Sequence, residues 1–181
     1  AGPQGQLLMA ILVSIYVPLF NVAAVWPMAR GRQTGMLREL ARNPLVIATA
    51  LGLIVNLLGF RIPAILEPTL SRIGAASLAL GLMSAGAGMQ FASLAKAKTL
   101  AVSLLVIRHL LLPITAFVLA RLLQLDPAQT TVLLAFASVP TASSCYVLAV
   151  KMGYNGPFVA GLVTLSTELG MLRLPFALGV L

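Results

Sequence analysis

Six stretches of roughly twenty apolar residues, near 6–27, 44–61, 69–90, 99–122, 129–151 and 157–180, leave this chain little with which to face water. At about 1.5 Å of rise per residue, a helix of that length crosses the hydrocarbon of a bilayer. The chain is 60% hydrophobic and 9% charged, with a mean hydropathy of +1.02, far beyond what a soluble core of 181 residues requires. The expected fold class is an all-α integral membrane protein with six transmembrane helices.

A net charge of +8 could point to nucleic acid, but the basic residues sit between the apolar runs and not along one polar face. They read as topology signals, with the lipid bilayer and no nucleic acid as the expected partner. The connection 28–43 holds Arg30, Arg32, Arg38 and Arg42; 91–98 holds Lys96 and Lys98; 152–156 follows Lys151. The intervening connections mix signs, with Arg61 and Arg72 beside Glu67, and Arg121 beside Asp126. Lysine and arginine excess marks the cytoplasmic side, so the first, third and fifth connections are expected there and both ends outside. The stretch 28–43 reads equally as a short amphipathic surface helix or as a basic loop. The single cysteine, Cys145, excludes an internal disulfide and is expected to pack as a small residue. The chain opens Ala-Gly-Pro-Gln-Gly-Gln, without methionine or a signal peptide, so an upstream part is expected.

The fifth span is where the apolar pattern is interrupted. Ser138, Pro140, Thr141, Ser143 and Ser144 fall within seven positions at its middle. Proline removes an amide donor and clashes with the preceding turn, and hydroxyls can bond the carbonyls so released. One reading is a proline kink patched by hydroxyls. The other is a discontinuous helix whose second half starts near Thr141 and turns free amides and a positive dipole end toward an anion. Unwound backbone at membrane depth survives only where it is buried in protein or lines a cavity.

Three other spans carry features of interest. In the third, Gly74, Ser77, Gly81, Ser84 and Gly88 recur at intervals of three and four and share one stripe, which suits close helix packing, a sliding face or the wall of a path. In the fourth, Arg108 and His109 lie near mid-membrane, followed by Pro113. A charge at that depth costs at least about 2.5–3.5 kcal/mol and is usually paired or faces water. Glu168 in the sixth span, on a face with Gly161, Thr164 and Met171, is the one carboxylate within any span. It is a candidate ion-pair partner for Arg108 or, like His109, a candidate proton carrier. One histidine, one cysteine and no carboxylate pair make neither a metal site nor a catalytic constellation, so neither enzyme activity nor a cofactor is expected.

Several segments together resemble one family: Asn43-Pro44-Leu45-Val46-Ile47-Ala48 through Gly52 and Asn56 to Pro63; Gly74-Ala75-Ala76-Ser77-Leu78-Ala79-Leu80 to Gly86-Ala87-Gly88-Met89; Arg108 to Pro113; Pro140-Thr141-Ala142-Ser143-Ser144-Cys145-Tyr146-Val147-Leu148-Ala149; and Val163-Thr164-Leu165-Ser166-Thr167 to Leu174-Pro175. In order and spacing they are similar to the C-terminal part of bacterial auxin efflux carrier family transporters. That resemblance implies ten helices in two inverted repeats of five, with the fourth helix of each repeat broken and the breaks crossing at the substrate site. Residues 1–43 would then be the last helix of the first repeat with its basic cytoplasmic connection. Residues 44–181 would be a complete second repeat, broken near 138–144.

By the same resemblance the protein is a secondary active transporter of the bacterial inner membrane. It would move a carboxylate such as malate, malonate or an auxin-like acid by alternating access. Ser138, Pro140, Thr141, Ser143 and Ser144 would hold the anion, Arg108 would add positive potential, and the Gly74–Gly88 stripe would pack against the break or slide. Two departures stand out: four upstream helices with the second break are missing from this chain, which should not transport without them, and Glu168 stands where the family more often has a small or neutral residue. A homodimer stays open. The alternatives are a sodium-coupled bile-acid-type symporter of similar fold, and a non-transporting scaffold subunit whose small-residue stripe docks a partner.

Overall fold

The computed structural model describes residues 2–29 and 36–179, with side chains described except at positions 29, 36, 37 and 173–179. Every regular element among them is helical: α1 (Gly2–Ala29), α2 (Met36–Arg42), α3 (Pro44–Leu57), α4 (Glu67–Gly88), α5 (Phe91–Lys96), α6 (Lys98–Val106), a π-helical turn (Ile107–Leu111), α7 (Leu112–Leu122), α8 (Pro127–Ser138), α9 (Ser144–Lys151) and α10 (Gly156–Gly179). Arg30 and Arg32 lie outside the described residues; the rest of the basic connection includes the seven-residue α2.

Two compact units divide the chain. Gln6–Thr69 forms one, and Leu70–Leu181 with Ala1–Gly5 forms the other. In the first, α3 begins at a well-built cap: the Asn43 side chain accepts the Leu45 amide at 3.0 Å, and Pro44 sits where a helix has no use for its missing N–H. The helix then runs only 14 residues. The expected span to position 61 is therefore shortened, because the chain leaves the helix at Leu58 and turns through Gly59 at a φ of +66°.

Among the described residues, three stretches are long and apolar enough to cross a bilayer: Gly2–Met28, Glu67–Gly88 and Lys98–Leu122, the last running through α6, the π turn and α7. Pro44–Leu57 and Gly156–Leu172 are shorter apolar helices. Large apolar side chains point outward, with Leu78 at 70% and Leu122 at 73% exposure, whereas Ala101, Ala116, Ala120, Ala137, Ala149 and Ala160 are buried. Lipid rewards no hydrophobic burial between helices, so small residues go inside where backbones approach, and leucines face out. Hydroxyls inside the helices are met locally: Thr115, Thr131, Thr164 and Thr167 each donate to the carbonyl four residues back, at 2.7–3.0 Å.

In the second unit, α10 packs against α5, α6, the π turn, α8 and α9, and α7 packs against α8. Asp126 starts α8 with a capping box, accepting the Gln129 amide at 2.8 Å while Gln129 Oε1 accepts the Asp126 amide at 3.2 Å. Asn155 does the same service for α10, accepting the Phe158 amide at 3.1 Å.

Candidate functional site

The fifth span is two helices. α8 ends at Ser138 and α9 starts at Ser144, with Val139–Ser143 unwound between them. The second half begins three residues later than Thr141, the start expected from sequence. After Pro140 the chain needs a turn before it can re-enter a helix, and the first bonds of α9 are those of the Cys145 and Tyr146 amides to the Ala142 and Ser143 carbonyls, both 3.0 Å. Among the described residues, the amides of Ala142, Ser143 and Ser144 meet no acceptor. They form the positive end of α9.

The released backbone groups around Pro140 are satisfied from other helices. Arg108 Nη2 donates to the Val139 carbonyl at 2.6 Å. The Thr141 amide donates to Ser166 Oγ at 2.8 Å, and the same hydroxyl shares a 2.9 Å hydrogen bond with His109 Nε2. Arg108 and His109 can both reach because they sit on the π turn, where the Leu112 amide bonds the Ile107 carbonyl five residues back. Pro113 gives the local cause: it has no N–H for the His109 carbonyl and its ring would strike that carbonyl in a regular turn, so the helix widens.

Glycines make room for the break. A methyl on Gly170 of α10 would lie 3.3 Å from the Pro140 ring, and one on Gly81 of α4 would lie 2.6 Å from Ser143 Oγ. A methyl on Gly88 would run into the Tyr146 ring of α9. The small-residue stripe thus divides. Gly81 and Gly88 meet the break and α9, whereas Gly74 has open space, Ser77 turns its hydroxyl back to the Gly74 carbonyl at 2.6 Å, and Ser84 is exposed.

A cavity of about 340 Å³ opens beside the break, bounded by Arg108 and Thr141 and otherwise largely by apolar side chains such as Leu104, Leu112, Val159 and Leu162. Cys145 is exposed on its wall and not packed away. The Arg108 Nε–H is buried and has no acceptor. Arg108, Thr141 and Cys145 line this cavity, and the unbonded amides of Ala142, Ser143 and Ser144 lie between the last two in sequence; unused donors of both kinds suit an anion.

Of the residues expected at the site, Ser138 is buried at the end of α8, and Pro140, Thr141, Ser143 and Ser144 are half-buried, turned to different neighbours. Arg108 and His109 join them. Glu168 does not: it is exposed, and the Arg108 guanidinium goes to a backbone carbonyl in place of that carboxylate. Among the described residues no cluster of His, Cys, Asp and Glu could hold a metal ion. Ser166, fully buried at the centre of the network, was not singled out from sequence. Its spacing of four from Gly170 on the buried face of α10 was the available signal.

Residues 27–178 match the model of the family described as membrane transport protein. The chain belongs to that family. The resemblance to auxin efflux carriers drawn from the sequence agrees with this membership. The chain is also 25% identical, over 146 residues, to an uncharacterized transporter of Methanocaldococcus jannaschii, an alignment that takes in 79% of this chain and 47% of the relative. The chain therefore spans about half the length of the curated relative that it matches. No solved structure matches it.

Proposed function

We propose that the whole protein is a secondary transporter that carries a small organic anion, a carboxylate, by alternating access, and that the carboxylate sits at the break between α8 and α9. The observation that carries this reading is the run of unbonded amides of Ala142, Ser143 and Ser144 at the start of α9, in a break whose Thr141 and Cys145 line a cavity together with Arg108. Half-helix amino ends at membrane depth serve anionic substrates in transporters built from broken helices. In lipid, unpaired donors cost several kcal/mol each unless something polar meets them, which favours a site that is filled for part of its cycle.

In this reading the present residues supply one side of the site and a second broken helix, upstream, supplies the other. The two-repeat arrangement, the cytoplasmic placement of the connections 28–43, 91–98 and 152–156, and residence in a bacterial inner membrane belong to the same proposal. Membership of a transport family supports it, as does the interrupted fifth span. The test is uptake of radiolabelled malonate and malate by the full-length protein in proteoliposomes. Pro140→Ala combined with Thr141→Val should abolish saturable uptake, and unchanged uptake in that variant would refute the site.

A further inference from the structure

The two ends of the break answer to one element. Val139, before Pro140, is held directly by Arg108; Thr141, after it, is held by Ser166, which is held in turn by His109. Arg108 and His109 are neighbours on the π turn. Ser166 is the junction through which that turn reaches the second half of the helix. It is 0% exposed and lies 25 residues from Thr141 and 57 from His109 in sequence.

A serine inside a helix ordinarily donates its proton to its own backbone, as Thr164 and Thr167 do on either side of it, to the Ala160 and Val163 carbonyls. Ser166 makes long-range bonds instead. A hydroxyl has one proton and two lone pairs, and here one lone pair takes the Thr141 N–H while the imidazole fixes how the group is turned. Gly170, one turn further along α10, leaves room for the Pro140 ring, so α10 locates both residues of the Pro140–Thr141 pair.

We infer that Ser166 is a positioning residue for the anion site: by engaging the Thr141 amide it aims the three free amides that follow, and His109 on the π turn sets its orientation. This rests on the reading of the break as the anion site. Without the hydroxyl, the Thr141 N–H loses its acceptor within the protein. The segment 141–144 then shifts to relieve it, and the amides of Ala142, Ser143 and Ser144 move with it. The guanidinium of Arg108 and the exposed carboxylate of Glu168 are the charged groups nearest in sequence to the two members of this pair, and neither bonds to the Ser166 hydroxyl.

The experiment uses the full-length transporter in proteoliposomes with radiolabelled malonate, together with amide hydrogen exchange read by mass spectrometry over 139–144. Ser166→Ala should raise the KM for malonate about tenfold with kcat within about twofold, a loss of the size expected for one misplaced hydrogen-bonding set. Ser166→Thr should restore it. His109→Ala should raise the KM as Ser166→Ala does, and the double variant should lose less than the two single losses added together, since the two side chains are hydrogen-bonded. A purely structural serine would lower the melting temperature and leave KM alone. An unchanged KM in Ser166→Ala, or additive losses in the double variant, overturns the inference. If the wild type takes up no malonate, the reading of the site fails, and exchange still decides the positioning role: faster exchange confined to 141–144 in Ser166→Ala upholds it, and unchanged exchange there refutes it.

Discussion

Arg108 caps α8. Its Nη2 donates 2.6 Å to the carbonyl of Val139, the first residue past the helix, so the one cation near the middle of the α6–α7 run lies at the negative end of the broken helix's first half. Carbonyls at a helix end need partners, and a cation there is favoured by the dipole as well. What looked in sequence like a buried charge in search of a carboxylate is a side chain that repairs backbone. Removing the guanidinium as Arg108→Gln should cost about 1–3 kcal/mol, the usual loss for a hydrogen bond to a charged group. A drop in melting temperature in detergent would report it, with Arg108→Lys falling between the two.

Glu168 gives the contrasting case. Exposed and without a bond to Arg108, it should tolerate neutralisation: Glu168→Gln is expected to leave the melting temperature and malonate uptake within about twofold of wild type, the ordinary result for a surface substitution. Uptake measured side by side with the Arg108→Gln variant makes the comparison.

The stripe on α4 should respond unevenly to added methyl groups. Gly88→Ala drives a methyl into the Tyr146 ring, which is rigid, and overpacking of this kind typically costs about 1–3 kcal/mol. Gly81→Ala meets the Ser143 hydroxyl, which can rotate away, so a smaller loss is expected. Gly74→Ala has open space and removes a helix-weakening glycine, so it should be neutral or stabilising by about 0.5–1 kcal/mol. Thermal melting of the three variants in one detergent gives the order.

Pro113→Ala tests the origin of the π turn. With an N–H restored at that position the helix can close a regular turn, which rotates Arg108 and His109 away from Val139 and Ser166. Helix content by circular dichroism should hold while malonate uptake falls more than tenfold, a loss of over about 1.4 kcal/mol in transition-state terms.

How much of this was legible beforehand follows from how local each cause is. The break could be read because Pro140 and its hydroxyl neighbours lie next to one another in a span that has to be apolar. The start of α9 at Ser144 was misjudged by three residues, because where a chain re-enters a helix depends on the turn it can make, not on the proline alone. The π turn was hidden behind Pro113, since a proline in a membrane helix can equally produce a simple kink. Ser166 was hidden more deeply. Its sequence surroundings match those of Thr164 and Thr167, which bond only to their own helix, and the difference appears only when α10 lies against the break. The Gly74–Gly88 periodicity makes one stripe in the sequence, but which of its glycines are covered depends on where Ser143 and Tyr146 lie against α4.

The most direct measurement is thiol labelling at the break. In a Cys145→Ser background of the full-length protein, single cysteines at Ala142, Ser143 and Ser144 are treated with a membrane-impermeant methanethiosulfonate reagent, with and without malonate. An aqueous anion site at the free amides predicts that these positions react and that malonate protects them. Failure of all three positions to react, or reaction that malonate leaves unchanged, would contradict an anion-binding break between α8 and α9.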